Sequence, residues 1–528
     1  MITQLYQLLD RSAANLPNKT AVTYGDTKFT FKDIEEKSNQ LTAYLQSIGV
    51  KRGDRIIILF GNTIETVISF WSILKAGAIV IPLSAELKPD KIDYIINDSQ
   101  AKVLFTNQII LEENLELLGN GSLEKVIVPK LPESLRSNFV EGFESAISNA
   151  SKSFNPVGNL SVDLASIIYT SGSTGEPKGV MLTHQNMITA THSLNTYLGY
   201  NSNDKVLCVL PLSFDYGLYQ MIMSISTGAN LLLEKESTWP IFLLKKIEKE
   251  KATILPAVPT LVTLLHDQDK NKKFNLSSIR KVTNTGAALT RTNIKMVQHI
   301  FENAEIFSMY GLTECKRCTY LPPEDIDKKL NSVGIAIPNT ELWLVDENDH
   351  KIEEANTIGQ LVIRGATVMR GYWNKPEKTA EKLKDGPIMG EKVLYTGDYC
   401  SLDEDGYLYF KGRMDHIIKS RGIKVSPKEV EDFIGTIEEV NSVAIVGVPH
   451  SSYGDVLYAF VVLKDGMEIS EDHIKGICKN NLEAFKVPEY ISIISSLPKT
   501  INGKFDLIGL KERALSEVEQ MEGKVKIS

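Results

Sequence analysis

Ile167-Ile168-Tyr169-Thr170-Ser171-Gly172-Ser173-Thr174-Gly175-Glu176-Pro177-Lys178-Gly179 is the stretch on which the reading of this chain turns. Its apolar, β-branched start reads as a strand, which runs straight into six consecutive Ser, Thr and Gly residues with a lysine close behind. Glycines let a backbone approach a polyphosphate and expose its N–H groups, hydroxyls add donors, and a lysine supplies a compact positive charge. A Walker A loop would place Gly immediately before the lysine, where this chain has Pro177. Two readings of the residues stay open: a phosphate loop of another kind, or a flexible Ser/Gly turn between strands.

The sequence on either side sets that loop in an α/β frame. Upstream, Arg55 to Phe60 reads as a buried strand, Thr63 to Lys75 as a helix ending at Gly77, and Ile79 to Leu83 and Lys102 to Phe105 as further strands. The polar run from Ser148 to Gly158 reads as a surface connection. Strands resume at Leu207 to Leu210, Leu231 to Glu234 and Thr253 to Leu255. Such alternation argues for layered parallel sheets with ligand loops at the strand C-termini. After about Ser332 the texture changes, and Glu341 to Asp346, Gly359 to Arg364 and Gly406 to Phe410 are spaced like a small antiparallel, barrel-like unit. Beyond Gly412 come a strand near Ile417, a helix from Pro427 to Ile434, strands at Ser442 to Val448 and Tyr458 to Leu463, and a helix after Ser470. That is roughly 115 residues of α+β, enough for an independent lid domain.

The 528 residues exceed what one core organises, so two or more domains are expected. Net charge is −8, from 58 Lys and Arg against 66 Asp and Glu, which gives no case for nucleic acid or an anionic membrane as partner. No apolar run approaches the ~20 residues that span a bilayer, and the first residues lack the regions of a signal peptide. Five scattered cysteines fit a reducing cytoplasm. Cys315-Lys316-Arg317-Cys318 alone has a suggestive spacing, but a metal site would want a second pair and a redox pair a thioredoxin-like context. The pair reads as two unrelated thiols near a pocket wall.

The loop does not stand alone. Tyr169 to Gly179 resembles the signature loop of the AMP-forming adenylating superfamily, which includes acyl-CoA synthetases, luciferases and the adenylation domains of nonribosomal peptide synthetases. Further blocks similar to that family follow in its order: Tyr310-Gly311-Leu312-Thr313-Glu314, Tyr395-Thr396-Gly397-Asp398, Gly412-Arg413-Met414-Asp415, Ser420 to Pro427, and Pro498-Lys499-Thr500-Ile501-Asn502-Gly503-Lys504. The resemblance covers essentially the whole chain. It implies an N-terminal domain over residues 1–411, a hinge over 412–416 and a mobile lid over 417–528.

It also implies roles, residue by residue. Thr170, Ser171, Gly172, Ser173, Thr174, Gly175 and Lys178 would hold the β- and γ-phosphates of ATP. Gly286-Ala287-Ala288 and Tyr310-Gly311 would sandwich the adenine. Thr313 would contact the α-phosphate, and Glu314 would take Mg²⁺, a hard cation suited to carboxylate and phosphate oxygens. Asp398 would accept from the ribose hydroxyls, supported by Arg413. Lys504 would bridge the attacking carboxylate and the α-phosphate, where charge concentrates in the transition state. Asp415 would be the hinge, and Gly422 would line the thiol tunnel after the lid rotates. Where luciferases carry a second functional lysine this chain has Arg421, which speaks against a light-emitting second step.

The acid is read from Leu210 to Gln220. Ser213-Phe214-Asp215 is similar to amino-acid-activating domains, in which the aspartate pairs with the substrate ammonium. The physics agrees, because a carboxylate facing an apolar pocket is costly unless a cation meets it. Against it, Tyr216-Gly217-Leu218 is similar to acyl-CoA ligases, and an aspartate can simply begin a helix. Tyr216, Tyr219, Met309 and Cys318 would line a small pocket. The expectation is therefore an amino acid, L-proline as first guess, adenylated and passed to the phosphopantetheine thiol of a separate carrier protein. The alternatives are an acyl-CoA synthetase for a small or aromatic acid, with coenzyme A as acceptor, and a non-catalytic nucleotide-binding relative.

Overall fold

The structure, a computed structural model, describes residues 2–114, 118, 121–171, 176–236, 238–286, 289–414, 418–420, 423–450, 454–499 and 505–525. Two compact units are present, one formed by Met1–Leu342 with Val362–Tyr395, the other by Trp343–Leu361 with Thr396–Ser528. The boundary expected at 411/412 therefore lies inside the second unit.

The first unit holds two large sheets. One has the order β19 (Gly371–Tyr372), β9 (Pro177–Thr183), β8 (Leu164–Ser171), β4 (Ile79–Pro82), β3 (Arg55–Leu59), β5 (Val103–Thr106), β6 (Lys125–Val128) and β7 (Val140–Gly142). Its centre is parallel, with Ile56 opposite both Val80 and Val103. That explains the uniformly apolar strand sequences, since a parallel sheet is covered on both faces. The helix Ile64–Lys75 starts where Thr63 accepts the Thr66 N–H and stops before Gly77, whose φ of +78° ends the helical path. It buries Phe70 and Trp71, each worth roughly 2–3 kcal/mol of apolar transfer.

The other sheet has the order β16 (Ile335–Ala336), β15 (Thr319–Leu321), β14 (Glu305–Tyr310), β13 (Lys281–Asn284), β12 (Ile254–Ala257), β10 (Lys205–Cys208), β11 (Asn230–Leu233), β1 (Thr20–Tyr24) and β2 (Thr27–Thr30). β12, β13 and β14 are parallel neighbours, so their C-terminal ends open on the same edge.

The strands expected after Ser332 are β17 (Thr340–Val345), β18 (Gly359–Gly365) and β22 (Leu408–Arg413). Within the first unit β20 (Leu383–Asp385) pairs antiparallel with the start of β21 (Lys392–Leu402), and within the second unit the end of β21 pairs with β22. The second unit also carries the expected α+β segment, a sheet ordered β24 (Ile423–Val425), β23 (Ile418–Ser420), β26 (Gly454–Leu463), β25 (Val440–His450), with β27 (Tyr490–Ile493) beside β26. Alternation along β25 and β26 divides its apolar residues between two cores. Ile445, Leu457 and Val461 pack with Val430, Ile434, Ile474 and Cys478 of the helices Pro427–Ile434 and Glu471–Asn481. Val446, Tyr458 and Phe460 pack with Leu510, Ala514 and Val518 of the helix Leu507–Val525.

Candidate active site

β8 and β9 form an antiparallel hairpin in which Thr170 lies opposite Lys178 and Ser171 opposite Pro177. The paired strands bracket Gly172, Ser173, Thr174 and Gly175, which lie outside the described residues. Past β9, Thr183 and Asn186 form a reciprocal capping box for the helix His184–Leu198. The Asn186 amide also donates to the carbonyls of Ala366 (2.7 Å) and Val368 (3.0 Å), pinning the segment that enters β19. β19 pairs with β9, Tyr372 opposite Val180, and this pairing carries the Tyr372 side chain to the lysine. Lys178 Nζ lies 5.8 Å from the Tyr372 ring centroid, while the Tyr372 hydroxyl donates to Glu314 Oε1 at 2.7 Å. The Glu314 carbonyl accepts the Met369 N–H at 2.7 Å, so backbone and side chain of Glu314 are both held by one segment. Sequence reasoning missed Tyr372; the Gly371-Tyr372-Trp373 run was the available signal.

Glu314 suits the implied metal. Among the described residues no group of three or more His, Cys, Asp or Glu side chains is arranged to hold an ion. A single oriented carboxylate, with phosphate oxygens and water completing the shell, is how Mg²⁺ is commonly bound. Gly286, two residues beyond β13, and Tyr310, the last residue of β14, stand at the ends of adjacent parallel strands. That is the edge where an adenine would be received. Ala287 and Ala288 lie outside the described residues. Gly311 is required by close approach: a Cβ there would stand 2.1 Å from the Lys316 carbonyl oxygen. The chain doubles back at that point, with the Cys318 N–H donating to the Tyr310 carbonyl at 2.9 Å, and the loop holds Thr313 and Glu314.

The five candidate acid-pocket residues come together in one packed region. The helix Asp215–Thr227 lies so close to the preceding backbone that a Cβ on Gly217 would meet the Pro211 carbonyl oxygen at 2.2 Å. Its residues Tyr216 and Tyr219 face the loop between β14 and β15. Tyr216 donates its hydroxyl to the Thr283 carbonyl at 2.6 Å, so that group is already engaged. Met309 Sδ accepts from the Tyr197 hydroxyl at 2.9 Å, and Tyr197 stacks on Tyr320 with centroids 4.1 Å apart. Cys318 is fully buried, and its Sγ lies 3.0 Å from Cys315 Sγ. The two thiols therefore touch, which their reading as unrelated did not foresee. Burial, with the Cys318 thiol beside it, pushes the Cys315 thiol well above its ordinary range.

Asp215 already has a cation of the chain beside it, since Arg317 Nη1 lies 3.9 Å from Asp215 Oδ2. Arg317 also stacks over the Tyr216 ring at 4.9 Å, and Lys316 Nζ sits 4.9 Å from the Tyr219 ring centroid. Both basic residues are buried, Lys316 at 1% exposure and Arg317 at 3%. Burial first, then the neighbouring guanidinium, pushes the Lys316 ammonium down to about 8, against the pull of Asp215. Neither cation was anticipated as part of the site, because a Cys-Lys-Arg-Cys run draws the eye to its thiols.

In the second unit Asp398 on β21 lies opposite Arg413 on β22, with Arg413 Nε 3.8 Å from Asp398 Oδ1. The carboxylate is buried, and the Asp398 N–H donates to Thr396 Oγ1 at 3.1 Å. A buried, oriented carboxylate beside a guanidinium can accept from two vicinal hydroxyls. Asp415, Gly422 and Lys504 lie outside the described residues.

The family model described as AMP-binding enzyme matches residues 9–373, and that described as AMP-binding enzyme C-terminal domain matches residues 429–504. A long-chain-fatty-acid–CoA ligase of Bacillus subtilis (strain 168) is 30% identical over 541 residues, covering 97% of this chain and 94% of that protein. Among solved structures, ATP-bound MatB from Rhodopseudomonas palustris superposes with a TM-score of 0.88 at 25% identity, covering 97% of this chain and 99% of that one. The anthranilate CoA ligase AuaEII, in complex with anthranoyl-AMP, superposes with a TM-score of 0.86 at 28% identity, with 98% of each chain covered. No helix among the described residues is long and apolar enough to cross a membrane.

Proposed function

The chain belongs to the AMP-binding enzyme family, whose members join an acid to a thiol through an adenylate made from ATP, and from that premise we propose that it activates a small carboxylic acid and transfers the acyl group to coenzyme A. The observation that carries the adenylation half is the Lys178–Tyr372–Glu314 contact set, which brings the loop lysine and the implied metal carboxylate onto one aromatic ring. Lys178 would steady the departing pyrophosphate. Glu314, oriented by Tyr372, would hold Mg²⁺, which supplies charge neutralisation between the phosphates when bound. Thr313 would donate to the α-phosphate, and Asp398 would fix the ribose. Lys504 would align the carboxylate for in-line attack on the α-phosphorus.

The acceptor and the acid have two finer readings. The amino-acid reading, with L-proline loaded onto the phosphopantetheine of a carrier protein, rests on Asp215 receiving a substrate ammonium. The approach of Arg317 to Asp215 favours the other reading, an acid without an α-ammonium and coenzyme A as acceptor. Similarity to the Bacillus subtilis long-chain-fatty-acid–CoA ligase supports the same side. Acid-dependent exchange of labelled pyrophosphate into ATP, over a panel of amino acids and simple acids, tests the proposal. Exchange with L-proline and other amino acids alone would overturn the choice of acid, and exchange with no acid would overturn the adenylation reading itself.

A further inference from the structure

The buried Lys316 and Arg317 form a charge cluster with the partly exposed Asp215, two cations and one anion. Lys316 Nζ makes no hydrogen bond to any described residue, and neither does Arg317 Nε. The nearest approach of Arg317 to Asp215, 3.9 Å, is an ion-pair distance and not a hydrogen bond. Around the cluster the walls are aromatic: Tyr216 and Tyr219 lie under the two cations, and the Tyr216 hydroxyl is spent on Thr283. The one other carboxylate on the same loop, Glu314, accepts from the Tyr372 hydroxyl and is the weakest of the charges that act on Lys316. A buried ammonium left without a hydrogen-bond acceptor is among the costliest features a fold can carry, and it persists where something outside the chain completes it.

The reacting carboxylate of the acid cannot be that partner if it is to be adenylated, because it must lie against the α-phosphate near Thr313. The acceptor must belong to another part of the substrate. We propose that the acid carries a second carboxylate, a short carbon chain away from the one that is adenylated, and that Lys316, with Arg317 beside it, is the specificity-determining residue that receives it. Asp215 then holds the two cations in place without neutralising both, leaving one positive charge for the ligand. This inference rests on the ligase reading above and names the substrate class for it.

The test is pyrophosphate exchange by the full chain with a matched series: butanoate, butanedioate, monomethyl butanedioate and L-proline, and the corresponding three- and five-carbon acids. The wild type is expected to prefer at least one dicarboxylate over its monomethyl ester and over the monocarboxylate by tenfold or more in kcat/KM. In Lys316→Met that preference should shrink at least tenfold through KM, with kcat and the affinity for ATP little changed. The methionine variant should melt at or above the wild-type temperature, because it removes an unpartnered buried charge; a lysine with a purely structural role would give a lower melting temperature. A wild type that uses monocarboxylates or proline as well as dicarboxylates would overturn the inference, and so would an unchanged preference in Lys316→Met. Either result leaves the ligase reading standing, whereas exchange with no acid at all removes both.

Discussion

Replacing Asp215 by Asn separates the two accounts of this residue by stability alone, before any substrate is chosen. At 3.9 Å, and with an effective dielectric of about 20, the attraction between Asp215 and Arg317 amounts to about 4 kcal/mol. Removing one partner of a buried pair typically costs ~3–5 kcal/mol, because the other charge stays desolvated. Two buried cations lose their shared anion here, so Asp215→Asn should lower the unfolding free energy by roughly 3–4 kcal/mol. The loss should be partly repaired in the Asp215→Asn, Lys316→Met double variant, with a coupling of about 1–3 kcal/mol between the two positions. Urea titration of the four proteins, followed by intrinsic fluorescence and by far-ultraviolet dichroism, reads both quantities and checks that the transitions coincide. An aspartate reserved for a substrate ammonium predicts something else: a variant as stable as wild type whose defect is confined to KM. Stability of Asp215→Asn within about 0.5 kcal/mol of wild type, or strict additivity in the cycle, would refute the charge-cluster account.

Tyr372→Phe keeps the ring facing Lys178 but deletes the hydroxyl that donates to Glu314 Oε1; the exchange rate should fall about 10–100-fold and half-saturation by Mg²⁺ should rise, as expected for loss of a ligand-orienting contact. An unchanged Mg²⁺ dependence would detach Glu314 from the metal. Lys504→Ala should abolish adenylation while thioester formation from supplied acyl-adenylate survives, and equal loss of both steps would refute the division of labour assigned to the lid. His184, buried and accepting the Leu5 N–H on Nδ1, has its imidazole pushed by burial from 6.5 down to about 4. Its folded value lies below its unfolded one, so the unfolded chain takes up the proton first and stability falls as pH drops from about 6.5 to 4, by at most roughly 3 kcal/mol. His184→Gln should flatten that segment of the stability-versus-pH curve, and a curve unchanged in slope would show that the group titrates normally.

Much of the frame around the candidate site was legible, because it depends on local chemistry that leaves a mark in one dimension. The parallel core strands are apolar throughout, the helix Ile64–Lys75 begins on a capping threonine and ends before a glycine with positive φ, and the helix Pro427–Ile434 opens on proline. The loop lysine and Glu314 stand in distinctive short runs. What the order of residues did not reveal is how far apart in sequence two parts of one site stand. Tyr372 reaches Glu314 across 58 positions, through a two-residue strand pinned by the capping side chain Asn186. A motif carries no record of such a contact.

The acid side turns on a different kind of information, the placement of charges that lie far apart in sequence. A single aspartate in an apolar segment invites the inference of a ligand cation, since an isolated carboxylate there is prohibitively costly. That inference holds only if the chain itself offers no cation, and Arg317 lies 102 positions away on another element of the fold. The sum over the cluster, and not the charge of any member, determines what the ligand must bring. With Asp215 alone the sum is −1 and the complement would be an ammonium; with Lys316 and Arg317 included it is +1, and the complement proposed above is an anion. Under the proposal, the sign of the preferred substrate group reverses on the placement of two residues in a loop, Lys316 with its φ of +67° and Arg317 directly after it. That φ turns the chain so that consecutive basic residues fall over two different tyrosines of the same helix.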